Sequence, residues 1–225
     1  MRKALFDRLA RVPMFSLNEV IRRLHLRWFR SSKYWEKRYA TGGTSGVGSY
    51  GELATYKAAV INAFISEYQI RSVIEFGCGD GNQLAYYNIP EYTGLEVSKT
   101  ALKGCEERFQ GDQSKRFLLY DNTFPCISGS LEKADLTLSI DVLYHLVEDD
   151  VFWTYLKNLF HHSRRYVVVY SSNFDSIHDS PHQVDRQFTP LIERNIKGFD
   201  LMRTIINPNK GNKTMSDWFF YRRRQ

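Results

Sequence analysis

The sequence is poor in cysteine, in proline and in long apolar runs. Its three cysteines, Cys78, Cys105 and Cys126, are an odd number with no C-x-x-C spacing. Neither a disulfide framework nor a zinc site is indicated, and a reducing cytoplasm is the natural compartment. No window approaches the roughly 18 apolar residues of a membrane span, and "MRKALFDRLARVPMF" has no unbroken apolar stretch of signal-peptide length. A soluble or peripheral protein is expected. Internal repeats and low-complexity linkers are also missing. What the chain has is 225 residues, 43% of them apolar, enough to bury one core of ordinary size.

Charge is distributed unevenly. Residues 1 to 38 carry eleven Lys or Arg against three acids, a net +8, so the remainder of this +6 chain is −2. Within that segment Ser16 and Glu19 form an S-x-x-E capping box, and Leu17, Val20, Ile21, Leu24 and Trp28 follow at helical spacing. The spacing predicts a basic amphipathic helix. Such a helix lies on an anionic membrane face, steers an anionic substrate, or packs on its own domain with a solvated basic face.

From Tyr50 onward, strand and helix alternate. Leu53, Lys57, Val60, Ile61, Phe64 and Tyr68 make a mostly apolar helical stripe, and "RSVIEF" follows as a buried strand. Further strands are expected at "EYTGLEV", "KRFLLY", "ADLTLSI", "RRYVVVYSS", "FDLMRTII" and "MSDWFFYRR", with helices at "SKTALKGCEERF" and "VEDDVFWTYLKNLFHH". That alternation predicts an α/β fold with a parallel sheet covered on both faces. Ligands of such sheets bind at the carboxyl ends of the strands.

Gly77, Gly79 and Gly81 stand there, directly after Glu75 and the first strand. Glycine permits tight backbone angles and close approach to a ligand. The spacing E-x-G-x-G-x-G departs from the dinucleotide pattern G-x-G-x-x-G, since position 82 is Asn, and no lysine follows to make a phosphate loop. A ligand without pyrophosphate is favoured. Glu96, at the end of the second strand, has two acceptor oxygens for ribose hydroxyls, which points to a nucleoside. Asp121 ends the third strand, in reach of an adenine amino group, and Asp141, Tyr144 and His145 follow the fourth.

In that order and spacing, "VIEFGCGDG", "YTGLEVS", "LLYDN" and "LSIDVLYHL" resemble the class I S-adenosylmethionine-dependent methyltransferases, over roughly residues 50 to 222. The resemblance implies a Rossmann-like, seven-stranded, mostly parallel sheet with an antiparallel last strand. It divides the chain into a basic helix and glycine-rich lid at residues 1–49 and a methyltransferase domain at 50–225. S-adenosylmethionine is the implied cofactor. Gly77, Gly79 and Gly81 would line its methionine moiety, Glu96 its ribose, and Asp121 or Asn122 its adenine. Glu75 would order the glycine loop through backbone amides or meet the ammonium, which Asp141 could also bind. Residues 34 to 58 look like the W-x-x-x-Y/W segment that closes small-molecule methyltransferase sites, so Trp35 and Tyr39 would cover the sulfonium. A glycine-rich surface loop packed by two core aromatics is the plainer alternative.

Chemistry is expected at His145, a rim histidine that titrates in the range a general base needs, with Asp141 as a possible orienting partner. The polar stretch 172–192 reads as a substrate loop, or as plain solvated surface, in which His182 and Arg186 could contact an anionic group beside Tyr144. The x3 spacing of His178 and His182 lacks a third ligand, so no metal is expected. The tetrapeptide of amino-methylating nucleic-acid enzymes is missing where "IDVLYH" stands, and nucleic acid is a disfavoured acceptor. An O-methyltransferase for a small molecule, sugar or glycan is the reading that results. Its rivals are an RNA or protein methyltransferase docking through the basic helix, a non-catalytic adenosylmethionine-binding protein, and an NAD oxidoreductase.

Overall fold

The computed structural model describes residues 28–121, 131–177 and 180–225. The basic helix expected around Ser16 lies outside them. So do Asn122, Cys126 and His178, and the docking and membrane roles assigned to that helix.

Seven strands form one sheet: β1 (Ser72–Phe76), β2 (Glu91–Glu96), β3 (Lys115–Leu119), β4 (Ala134–Ile140), β5 (Ser163–Ser171), β6 (Phe199–Ile205) and β7 (Asp217–Arg223). Their spatial order is β3-β2-β1-β4-β5-β7-β6. β1 to β5 pair in parallel, and β7 runs antiparallel to both of its neighbours. Six strands therefore point one way and the last in sequence points back, as expected. Strand order reverses between β1 and β4, so the crevice for a ligand opens at their carboxyl ends.

Burial on both faces explains the apolar runs. On one face, Ile61 and Phe64 of α2 (Gly51–Glu67) pack with Val73, Leu136, Val168 and Phe220. On the other, Tyr155 and Leu156 of α4 (Asp149–His161) pack with Ile74, Phe76, Val167 and Phe219. Adjacent strand residues Val73 and Ile74, or Val167 and Val168, serve opposite faces, as the two-residue period of a strand requires. Each fully buried side chain of this size contributes about 1.5–3 kcal/mol. Helix α3 (Lys99–Arg108) starts at Ser98, whose hydroxyl accepts the Ala101 amide at 3.1 Å.

Two parts differ from the sequence reading. Ser31–Ala40 is a regular helix, α1, and only residues 41 to 50 form the glycine-rich loop. The stretch 172–192, read as a substrate loop or plain solvated surface, is partly structural. Ser176–Ile177 pairs with Val184–Asp185, and α5 (Phe188–Asn195) buries Phe188 and Ile192 one turn apart. Its polar groups are satisfied internally, Ser172 donating to Asp185 and Asn173 exchanging hydrogen bonds with Thr189, so two apolar anchors suffice.

Candidate active site

Beyond β1 the chain turns sharply, and Gly77, Gly79 and Gly81 all take positive φ, at 79°, 59° and 71°. Side chains there would also collide: at Gly77 with Val142, 2.7 Å away, and at Gly79 with Ser45 Oγ. A Cβ at Gly81 would sit 3.0 Å from Cys105 Sγ and from Phe109, on α3 and its cap, and Gly81 does not line the cavity. Only Gly77 and Gly79 of the three face the ligand space.

Glu96, rather than Glu75, orders this loop. Its Oε2 accepts the Gly79 amide at 3.0 Å, and its Oε1 accepts those of Val97 and Ser98 at 2.9 and 3.1 Å. Three amides fill three of a carboxylate's roughly four acceptor positions, leaving one on Oε2 for a further donor. Burial pushes the Glu96 carboxyl up in spite of those amides.

Residues 44 to 50 are tied down over the same loop. Asp80 Oδ2 accepts the Ser45 amide and the Tyr50 hydroxyl, both at 2.8 Å, while Ser45 Oγ takes the Asp80 amide at 3.0 Å. Tyr39, buried at the end of α1, shares a 3.0 Å hydrogen bond with Ser45, and Asn82 donates to the Ser49 carbonyl. Burial alone would raise the Asp80 carboxyl, but the Ser45 and Asn82 amides and the Tyr50 and Ser45 hydroxyls outweigh it and hold it below its usual range. The segment is a roof fastened by hydrogen bonds.

The floor is acidic. Glu75 is buried beneath the turn, where its Oε2 accepts the Tyr92 hydroxyl at 2.6 Å. Burial pushes its carboxyl up to about 7, opposed by Tyr92 and by the charge of Lys57. Asp141, the first residue after β4, has φ of 58°. Its Oδ2 pairs with Lys57 Nζ at 2.7 Å, and its Oδ1 accepts from Tyr144 at 3.0 Å and Ser216 at 3.2 Å. Beside the glycine loop, Gln83 donates to the Ala54 carbonyl, but its buried Oε1 has no partner among the described residues.

At the rim, aromatic rings from three elements meet. His145 lies edge-on to Trp35 at 4.8 Å, beside Tyr144 at 4.4 Å, and near-parallel to His182 at 5.5 Å; His182 in turn stacks on Tyr34 at 4.4 Å. The Nδ1 of His145 is 3.1 Å from the His182 carbonyl, which can only accept, so Nδ1 carries the proton and Nε2 is the basic nitrogen. Burial pulls this imidazole down to about 4, helped by His182 and Arg38 and opposed by the carbonyl bond and Asp141. It is neutral at physiological pH, and it titrates below the range expected of it from the sequence, because the rim is more buried than its position after a strand suggests.

These parts enclose one cavity of about 250 Å³, and ten of the sequence-predicted residues line it: Glu75, Gly77, Gly79 and Glu96 at the glycine loop, Trp35 and Tyr39 in the roof, and Asp141, Tyr144, His145 and His182 at the rim. Arg186 does not. Its guanidinium donates to the carbonyls of Leu146 and Val147 at 2.7 and 2.9 Å and to Asp149 at 2.8 Å, so it braces the start of α4 and is spent as an anion contact. Asp121 is exposed and outside the lining, where its neighbour Tyr120 stands instead. Among the described residues, no cluster of His, Cys, Asp or Glu could hold a metal, and no helix is long and apolar enough to cross a membrane.

Sequence reasoning missed Arg38, Ser45, Lys57 and Gln83. Lys57 had a signal, a charge on an otherwise apolar helical stripe. Arg38, whose guanidinium stands 5.5 Å over the Trp35 ring, was hidden in a run of like charges. Ser45 and Gln83 carried none.

The chain matches no family model and no curated protein. Solved structures do resemble it. The N-methyltransferase NodS from Bradyrhizobium japonicum WM9, in complex with S-adenosyl-L-homocysteine, is 12% identical with a TM-score of 0.66 over 88% of this chain and 100% of that one. Magnesium protoporphyrin IX methyltransferase from Synechocystis PCC 6803, with the same compound bound, is 14% identical with a TM-score of 0.59 over 92% and 100%. The methyltransferase domain of a bacterial Hen1 is 18% identical with a TM-score of 0.59 over 76% and 98%. The fold of this chain is that of the class I methyltransferases.

Proposed function

We propose that this protein transfers a methyl group from S-adenosylmethionine to a hydroxyl of a small-molecule or sugar acceptor. The observation that carries the reading is a single cavity with the glycine turn and Glu96 at one end and a neutral histidine, its Nε2 unprotonated, at the other. The residues fit a cationic nucleoside: three carboxylates, Glu75, Glu96 and Asp141, face the cavity, and the orphaned Gln83 Oε1 wants a hydrogen-bond donor.

When bound, S-adenosylmethionine would supply an electrophilic methyl group and a sulfur leaving group. The protein's work would be alignment and proton removal. Glu96 would hold the ribose through its remaining lone pair. Asp141 and Gln83 would take the ammonium of the amino-acid tail, and Arg38 its carboxylate. Trp35 and Tyr39 would shield the sulfonium and keep water out. His145 Nε2 would receive the acceptor's hydroxyl proton while its Nδ1–H stays on the His182 carbonyl. Tyr144 and His182, the latter stacked on Tyr34, would shape the acceptor end.

Isothermal titration with S-adenosylmethionine, S-adenosylhomocysteine and NAD tests the reading. Micromolar binding of the two sulfur nucleosides without NAD supports it. Binding of NAD alone would turn the assignment to an oxidoreductase.

A further inference from the structure

Among the described residues, Lys57 is the least exposed charged side chain. Its side chain is 1% exposed, it lies on the apolar face of α2, and it does not line the cavity. Isolated ammonium groups are not tolerated in such places, so a specific partner must account for it. That partner is Asp141, 2.7 Å away, with the Tyr170 ring 5.4 Å beneath the same nitrogen.

Asp141 itself needs explanation. A left-handed φ of 58° in a residue with a side chain is strained and persists only where the surroundings over-determine it. Here the Asp141 amide donates to the Tyr170 carbonyl at 2.9 Å, and Tyr144 and Ser216 hold Oδ1. Lys57 holds Oδ2 from behind. In front, Gly48 of the roof approaches so closely that a Cβ there would lie 3.2 Å from that same Oδ2. One oxygen thus joins a buried lysine to the underside of the roof.

We infer that Lys57 is a positioning residue for cofactor binding: it fixes Asp141 in its left-handed conformation beneath the roof. The inference rests on the proposed function above. Lys57 touches no ligand and acts only through the carboxylate. The other titratable groups around the pair are Glu75, Tyr87, Tyr144, His145 and Tyr170, of which Glu75 also feels the lysine's charge.

The test is titration of the full chain with S-adenosylhomocysteine. Lys57→Met should bind at least tenfold more weakly than wild type, because Asp141 loses the contact that fixes it. An affinity within twofold of wild type would overturn the inference. The double variant Lys57→Met/Asp141→Asn, which removes both charges and keeps the inference testable if Lys57→Met does not fold, should bind no worse than Asp141→Asn alone. A further loss above threefold in the double variant would show that Lys57 acts elsewhere, through Glu75 or the core, and would equally overturn it. Failure of wild type to bind at all would instead refute the proposed function.

Discussion

The indole of Trp35 meets the imidazole of His145 edge to face, with ring centres 4.8 Å apart and planes at 79°. Roof and candidate base are therefore one packed unit, and the roof keeps the base dry. Since burial is the largest cause of His145's depressed basicity, opening the roof should restore it. The acid limb of kcat that belongs to His145 is expected near pH 4 in wild type. In Trp35→Ala the limb should move toward pH 6, the ordinary histidine range, and Trp35→Phe should keep it low. His145→Ala should lower kcat by about 10²–10⁴-fold, the usual range for a general base, with S-adenosylhomocysteine affinity unchanged. A limb that stays put in Trp35→Ala, or full activity in His145→Ala, would remove His145 from the chemistry.

The three glycines separate by role. Gly77 and Gly79 line the cavity, and a side chain at Gly79 would strike Ser45 and lift the roof; Gly81 packs on α3. Gly79→Ala should therefore weaken S-adenosylhomocysteine binding tenfold or more. Gly81→Ala should cost about 1–3 kcal/mol of stability from its positive φ while leaving the affinity of the folded protein nearly intact. Titration and urea unfolding of both variants check the distinction, and equal losses of affinity would erase it.

The sheet was legible because its strands are buried on both faces and read as apolar, β-branched runs such as "VIEF" and "YVVVY". The ligand end was legible because residues next to one another in sequence, Glu75 with the glycines and Asp141 with Tyr144 and His145, stay together in space. What sequence could not give was the partner of each carboxylate. Glu75 was expected on the loop amides, yet Glu96, 21 residues on, takes them, because the parallel register of β1 and β2 sets Phe76 against Leu95 and brings the end of β2 under the turn. Arg186 was misread for a similar reason. A guanidinium in a polar stretch suggests a ligand contact, and nothing in that stretch discloses the two carbonyls of residues 146 and 147 that consume it.

Glu75 should leave a signature in the pH dependence of stability. Its carboxyl lies near 7 in the folded protein and near 4.5 when unfolded. Between those values the native state holds a proton that the unfolded state has released, so this group's contribution is present at low pH and lost as pH rises from about 4.5 to 7. His145 and His162, both depressed by burial, act in the opposite sense and lose stability as pH falls below about 6.5. Comparison with Glu75→Gln isolates the carboxyl. Wild type should lose stability relative to that variant by about 3 kcal/mol between pH 5 and 8, as read from urea unfolding at fixed temperature. A difference independent of pH would mean that Glu75 titrates normally.

Glu96 combines two roles that different substitutions should separate. Its carboxylate holds the amides of Gly79, Val97 and Ser98, and one lone pair on Oε2 remains for a ligand. Removing it entirely leaves three amide donors without their acceptor, at about 1–3 kcal/mol for each that stays buried and unpaired. Glu96→Ala should therefore destabilise the glycine turn as well as abolish nucleoside binding. In Glu96→Gln the carbonyl oxygen can keep the Val97 and Ser98 bonds, but the amide nitrogen set toward Gly79 can only donate. Its stability should fall less, while S-adenosylhomocysteine affinity drops tenfold or more because the ribose acceptor has gone. Urea unfolding and titration of the two variants side by side decide the matter. Wild-type affinity in Glu96→Gln would leave Glu96 as a loop anchor alone and move ribose recognition elsewhere in the cavity.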